Sequence, residues 1–114
     1  MSAISTHVLD TARGCPAAGV GVTLEQGDQR GAWHTIGEGE TDRDGRLRTL
    51  TKEGASLAPG PYRLTFDTRR YFESNGMPVF YPSITVTFET ADAEVRYHVP
   101  LLISPYGYTT YRGS

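Results

Sequence analysis

Cysteine is almost absent from this sequence, and long apolar runs are absent altogether. Cys15 is the only cysteine in 114 residues, so no disulfide can form within the chain, which fits a reducing compartment. No apolar run approaches the ~20 residues that a membrane helix needs. Residues 1–7 have neither the basic start nor the apolar stretch of a secretory signal. We therefore expect a cytoplasmic protein with no membrane partner.

An excess of positive charge and the common catalytic motifs are also missing. Eleven Lys and Arg stand against thirteen Asp and Glu, for a net charge of −2, which argues against nucleic acid as a partner. There is no Gly-x-Ser-x-Gly elbow, no His-Glu-x-x-His pair and no glycine-rich phosphate loop before a helix. The three histidines, His7, His34 and His98, are too scattered for the usual zinc spacing. We therefore expect no metal and no organic cofactor.

The residues that are abundant favour β structure. Thirteen Gly and seven Pro indicate many turns, while seven Tyr and four Phe favour strands. Apolar and polar residues alternate, most regularly over residues 62–66. The predicted strands cover residues 4–9, 20–24, 32–37, 46–50, 62–66, 84–88, 95–101 and 106–111. The sequence therefore predicts an all-β fold, a two-sheet antiparallel sandwich of about eight strands.

One short helix and a single domain complete the predicted architecture. Residues 68–75 are predicted to form the helix, with Thr68 as its N-cap and Gly76 as its C-terminal stop. The chain has no linker and no internal repeat, so one domain over residues 1–114 is the simplest organisation. A core of this size is feasible but not large, so oligomerisation would usefully bury more apolar surface.

Two histidines lie on the predicted outer faces of strands. His98 lies between Tyr97 and Val99, in a run whose alternate residues are apolar, so it points away from the core of its own subunit. His7 shares a strand face with Ser5 and Leu9. A histidine in such a position can be solvated, can lie in an interface, or can act as acid or base near neutral pH. These residue patterns alone leave the three alternatives open.

An arginine at a turn and an unusual C-terminal segment are the other candidates. Arg46 directly follows the Asp44-Gly45 turn. It is either an ordinary solvated side chain or a guanidinium fork that holds the carbonyl or enolate edge of a polar heterocycle. An aromatic strand runs to Tyr111, close to the last residue, whereas chain ends are usually frayed. The terminus is therefore either held in place for a function or is merely where a strand ends.

Three segments of the sequence resemble the transthyretin-like family. Ser-Thr-His-Val-Leu-Asp at residues 5–10, followed by Gly14-x-Pro16-Ala17, resembles the first strand and turn of that family. Thr-Asp-x-Asp-Gly-Arg at residues 41–46 resembles its next marked stretch. Residues 97–114, which end in Tyr-Arg-Gly-Ser, resemble the C-terminal signature of the family's 5-hydroxyisourate hydrolase branch. The resemblance extends over essentially the whole chain, and its C-terminal part is the most specific.

The resemblance implies an enzyme of urate degradation that opens the six-membered ring of 5-hydroxyisourate. It implies a homotetramer made of two dimers, with active sites in the channel where the dimers meet, and no metal or organic cofactor. The catalytic residues would be His7, Arg46 and His98. The substrate-binding residues would be Tyr111, Arg112, Gly113 and Ser114. The alternatives are a carrier that binds a planar aromatic ligand in the same channel and a structural sandwich without a site.

Overall fold

The computed structural model describes residues 3–52, 56–92 and 95–113, which contain nine strands and one helix. The strands are β1 (Ile4–Asp10), β2 (Cys15–Pro16), β3 (Gly21–Gly27), β4 (Trp33–Glu40), β5 (Arg46–Leu47), β6 (Gly60–Asp67), β7 (Ile84–Thr90), β8 (Tyr97–Ser104) and β9 (Gly107–Thr110), and the helix is α1 (Thr68–Ser74). The all-β class with one short helix is therefore confirmed. No helix in the described part of the chain is long and apolar enough to cross a membrane.

The strands form two sheets. The first has the order β2-β1-β8-β9, with β5 paired to β1, and the second has the order β4-β3-β6-β7. The predicted sandwich is confirmed, but the prediction of wholly antiparallel sheets was wrong, because β1 and β8 are parallel. A parallel pair needs a long connection, and here most of the chain, including the second sheet, lies between the two strands. Apolar alternation has the same period in both kinds of pair, so it could not reveal the direction.

The core lies between the inner faces of the two sheets and beneath α1. Along β1, buried residues alternate with less buried ones from Ile4 to Asp10, and β6 follows the same rule from Tyr62 to Phe66. The largest fully buried side chains are Tyr62, Phe66, Phe72, Ile4, Leu24, Leu50, Leu64, Ile84, Leu101 and Ile103. Since alternate residues of a strand face opposite sides, the same pattern turns His7 and His98 outward.

The helix begins and ends close to the predicted residues, but with a different cap. The N-cap is Asp67, whose side chain accepts from the backbone N–H of Arg70 at 3.4 Å. Thr68 was the predicted cap; its hydroxyl is buried and donates to the carbonyl oxygen of Tyr81 at 2.6 Å. The hydroxyl of Tyr71 donates to the buried carboxylate of Asp10 at 2.7 Å, which fastens the helix to the first sheet.

Candidate functional site

The outer face of the first sheet brings together the three predicted catalytic residues. Arg46 on β5 is paired with His7 on β1, and His98 on β8 is paired with Ser5 on β1. Residues that pair directly across strands face the same side of a sheet. Strands ~4.8 Å apart and a step of ~6.6 Å from Ser5 to His7 place His7 and His98 about 8 Å apart at their Cα atoms. An imidazole, a guanidinium and a second imidazole therefore share one small surface.

A glycine turn holds Arg46 in this position. The carboxylate of Asp42 accepts from the backbone N–H groups of Asp44 at 2.8 Å and Arg46 at 3.0 Å, and these bonds, the one from Arg46 foremost, lower its pKa. Gly45 has a φ of 75°, and its carbonyl oxygen accepts from the N–H of Val8 at 2.7 Å. A Cβ at this position would overlap the carbonyl oxygen of Val8. Only glycine fits both this φ and this close approach, so the turn sets where β5 meets β1.

His7 is hydrogen-bonded through one ring nitrogen. Its Nε2 lies 2.9 Å from the backbone carbonyl oxygen of Asp44. A carbonyl oxygen only accepts, so Nε2 carries the proton. The neutral form of His7 therefore has its lone pair on Nδ1, and its ring is fixed to the same turn that positions Arg46.

His98 is partly buried and lies among positive charges. Burial, together with the charges of Arg46, His7 and Arg48, lowers the pKa of His98 below its ordinary value. Its Nδ1 lies 2.9 Å from the hydroxyl oxygen of Ser5. Its Nε2 makes no hydrogen bond to any of the residues that the structure describes. His98 is therefore neutral near pH 7 and has one ring nitrogen available for chemistry.

Among the described tail residues, Gly113 contacts the site. Its backbone N–H donates to the carbonyl oxygen of His98 at 2.8 Å, forming a one-residue antiparallel bridge. A Cβ on Gly113 would lie 2.6 Å from Cδ2 of the His98 ring, closer than real Cβ contacts. The tail backbone thus packs directly against the imidazole.

The other tail residues are arranged differently. The guanidinium of Arg112 lies over the ring of Tyr97, 5.0 Å from its centroid. Tyr97 faces the core side of β8, opposite to His98, so within this subunit Arg112 is directed away from the two histidines. Tyr111 is 56 % exposed. Ser114, the fourth predicted substrate-binding residue, lies outside the described residues.

Two residues beside the site were not among the predicted site residues. Ser5 contacts His98 directly, although 93 positions separate them. Arg48 follows Arg46 by two positions and acts on His98 by its charge. The sequence did contain a signal for both residues in their spacing. Ser5 is two positions from His7, and Arg48 is two positions from Arg46. His34 lies elsewhere, on β4 of the second sheet, where its Nε2 is 2.8 Å from a carboxylate oxygen of Asp28.

These groups can catalyse addition of water to a carbonyl carbon. A neutral imidazole takes a proton from water, and a guanidinium stabilises the oxyanion that forms. A second imidazole can supply a proton to a leaving nitrogen. Within residues 3–52, 56–92 and 95–113, no three His, Cys, Asp or Glu side chains are grouped so that they could hold a metal ion.

Comparisons with known proteins identify the family of this chain. Residues 4–113 match the HIUase/Transthyretin family. The chain is 50 % identical to the 5-hydroxyisourate hydrolase of Salmonella typhimurium, over 97 % of this chain and 80 % of that protein. It is 44 % identical to the 5-hydroxyisourate hydrolase of Caulobacter vibrioides over the whole of both chains. The crystal structure of sea bream transthyretin in complex with thyroxine is 32 % identical, with a TM-score of 0.89 over 98 % of this chain and 95 % of that one. This chain therefore belongs to the HIUase/transthyretin family.

Proposed function

We propose that the protein hydrolyses 5-hydroxyisourate to 2-oxo-4-hydroxy-4-carboxy-5-ureidoimidazoline, a step in urate degradation. The observation that best supports this function is that neutral His98 lies beside Arg46 and His7 on one face of the sheet. The hydrolases named above are 44–50 % identical to this chain, against 32 % for sea bream transthyretin. Transport of a planar aromatic ligand is the second candidate, because that transthyretin was solved in complex with thyroxine.

In the proposed reaction, Nε2 of His98 takes a proton from water as its oxygen adds to the ring amide carbonyl. Arg46 stabilises the negative charge that develops on the carbonyl oxygen. The bond between the carbonyl carbon and the ring nitrogen then breaks, and the nitrogen takes a proton from Nδ1 of His7 in its imidazolium form, since the Nε2–H of His7 is bound to Asp44. His98 afterwards releases the proton that it took from water and His7 regains one, so both rings return to their starting states. One water is consumed, and the new carboxyl group loses its proton at neutral pH. The lowered pKa of His98 favours it as the base, because that pKa keeps the ring neutral.

The tail residues Tyr111, Arg112, Gly113 and Ser114 are proposed to border the substrate. The contact of Gly113 with the His98 ring supports this, since the tail then runs beside the base. Arg112 supports it less directly, because its contact with Tyr97 anchors the tail. In an oligomer, Tyr111 of one subunit is free to face the site of a neighbour, because its ring is largely exposed.

The proposed assembly is a homotetramer made of two dimers, with the active sites in the channel between them. Strands β7 and β9 end their sheets, and an open edge strand is a template for pairing with another chain. Beside them lie exposed aromatic rings: Phe80 is 62 % exposed and Tyr106 is 70 % exposed, and their centroids are 6.0 Å apart. Exposed apolar patches of this kind mark interfaces. We further propose a cytoplasmic location and no nucleic-acid or membrane partner.

The test is turnover of freshly generated 5-hydroxyisourate, followed by its ultraviolet decay. His98→Asn and His7→Asn should each lower turnover by roughly 10²-fold or more, the scale of a lost acid–base group. Arg46→Ala should also lower turnover. His34→Asn is the matched control, because His34 lies on the other sheet. Near-normal turnover in all three site variants, with folding verified by circular dichroism, would contradict the site.

Two further measurements separate the alternatives. Binding of a planar aromatic ligand with no acceleration of hydrolysis in the intact protein would favour the carrier. No metal takes part in the proposed reaction, so exhaustive treatment with a chelator should leave turnover unchanged. A loss that one metal restores would contradict the metal-free mechanism.

A further inference from the structure

The imidazole of His98 is held on two sides. On one side, the hydroxyl oxygen of Ser5 lies 2.9 Å from Nδ1. On the other, the Cα of Gly113 approaches so closely that an added Cβ would lie 2.6 Å from Cδ2 and 3.3 Å from Cγ. The ring therefore has a fixed orientation, and Nε2 is the nitrogen left without a hydrogen bond among the described residues.

The direction of the hydrogen bond between Ser5 and His98 decides what Nε2 can do. A neutral imidazole carries one proton, and a serine hydroxyl can either donate or accept. If Ser5 donates to Nδ1, the ring proton is on Nε2, which then cannot take a proton from water. If Nδ1–H donates to Ser5, the lone pair is on Nε2 and the ring can act as a base.

One physical argument favours Nδ1–H as the donor. A base passes from neutral imidazole to imidazolium, in which both nitrogens are donors. Ser5 then accepts from Nδ1–H in both states, whereas a hydroxyl that donates to Nδ1 would have to turn away when the ring is protonated.

We propose that Ser5 is a positioning residue, which fixes His98 in the Nδ1–H tautomer and so presents the Nε2 lone pair to the substrate. This inference rests on the proposed hydrolysis for its consequence, but not for its geometry. Ser5 touches neither the substrate nor the attacking water. It acts through His98, by keeping the ring in the one tautomer that can accept a proton at Nε2.

The tautomer is measured directly by nitrogen-15 NMR of the imidazole rings, at a pH above the titration of His98. His98→Gln identifies its signals among those of the three histidines. We expect the wild-type protein to carry the proton on Nδ1, and Ser5→Ala to shift His98 toward Nε2–H. A wild-type His98 that carries its proton on Nε2 would overturn the proposal.

Kinetics give the second readout. Ser5→Ala should lower kcat by about tenfold or more with KM little changed, on the scale of partners that orient a functional histidine. Ser5→Thr, which keeps a hydroxyl, should restore both kcat and the Nδ1–H tautomer. The matched control is Ser104→Ala, on the outer face of β8, whose hydroxyl donates to the carbonyl oxygen of Gly107 at 3.0 Å. This control should leave both readouts unchanged.

The outcomes separate the two proposals. An unchanged tautomer together with an unchanged kcat in Ser5→Ala would contradict the role of Ser5 while leaving the hydrolysis intact. A wild-type protein that does not accelerate hydrolysis would contradict the proposed function. In that case the tautomer in wild type and in Ser5→Ala still decides whether Ser5 positions the ring.

Discussion

Gly113 lies against the imidazole of His98 and is hydrogen-bonded to the same residue through its backbone. Its N–H donates to the carbonyl oxygen of His98 at 2.8 Å, so the tail and β8 are in register at this point. Because no Cβ fits between the tail and the ring, the position of the ring depends on residue 113 being glycine. A residue near the end of the sequence thereby contributes to the geometry of a residue in the sheet.

Substitution of Gly113 should therefore damage catalysis far more than folding. In Gly113→Ala the new Cβ would displace either the tail or the His98 ring, and a displacement of about 1 Å can cost roughly 10²-fold in rate. We expect kcat/KM to fall on that scale, with the unfolding transition nearly unchanged. Gly107→Ala is the control, because its Cβ would make only an ordinary contact of 3.8 Å with Ser104. Equal rates for the two variants would show that the ring does not depend on Gly113.

The sequence predicted which face of each strand is buried better than it predicted which strands are paired. Alternation placed His7 and His98 on outer faces, because it reports which side of a strand is buried. It carried no information about which strands pair, so neither the parallel β1–β8 pair nor the contact of Ser5 with His98 could be predicted. The helix N-cap is Asp67 and not the predicted Thr68, because Thr68 is buried and its hydroxyl donates to a distant carbonyl group. This is a tertiary effect, which local propensity does not contain.

The acid side of the pH–rate profile should report the ionisation of His98. The base must be neutral, so kcat/KM should fall as pH decreases through the pKa of His98. Burial and nearby positive charge lower that pKa, so the midpoint of the fall should lie below the ordinary histidine value of 6.5. Arg48→Gln removes one of these charges, so the pKa should rise and the acid limb should move to higher pH. Arg48→Lys should keep the wild-type profile.

The control for this prediction is Arg43→Gln. Arg43 is exposed in the turn before β5 but is not among the charges that act on His98. The profiles are best measured at low ionic strength, where interactions between exposed charges are screened least. An acid limb that stays in place, or moves to lower pH, in Arg48→Gln would show that this limb does not report His98.

The turn before Arg46 should be sensitive to any side chain at Gly45. Alanine at a φ of 75° costs about 1–2 kcal/mol of strain, and at Gly45 its Cβ would also overlap the carbonyl oxygen of Val8. Gly19 has nearly the same φ, 78°, with nothing near its Cβ position, so Gly19→Ala measures the strain alone. We expect Gly45→Ala to lose more free energy of unfolding than Gly19→Ala, and to lose activity as well, because Arg46 moves.

Urea denaturation at one fixed protein concentration measures both losses, since the stability of an oligomer depends on concentration. Equal losses of stability and full activity in both glycine variants would mean that the approach of Gly45 to Val8 does not position Arg46.

Removal of the residues after Tyr111 discriminates the enzyme from the carrier. A chain that ends at Tyr111 loses the contact of Arg112 with Tyr97, which is worth about 0.5–1 kcal/mol at an exposed site, so it should still fold and assemble. It also loses the backbone of Gly113 beside His98, and with it the preorganised position of the ring. We therefore expect a folded tetramer with strongly reduced hydrolysis. Arg112→Ala separates the two effects, because it removes the contact with Tyr97 and keeps Gly113; its loss of activity should be smaller.

Turnover of 5-hydroxyisourate is measured beside tetramer content by light scattering for all three chains. Full turnover in the folded, shortened chain would mean that the tail is only the end of a strand, whereas ligand binding with no turnover even in the intact chain would favour the carrier.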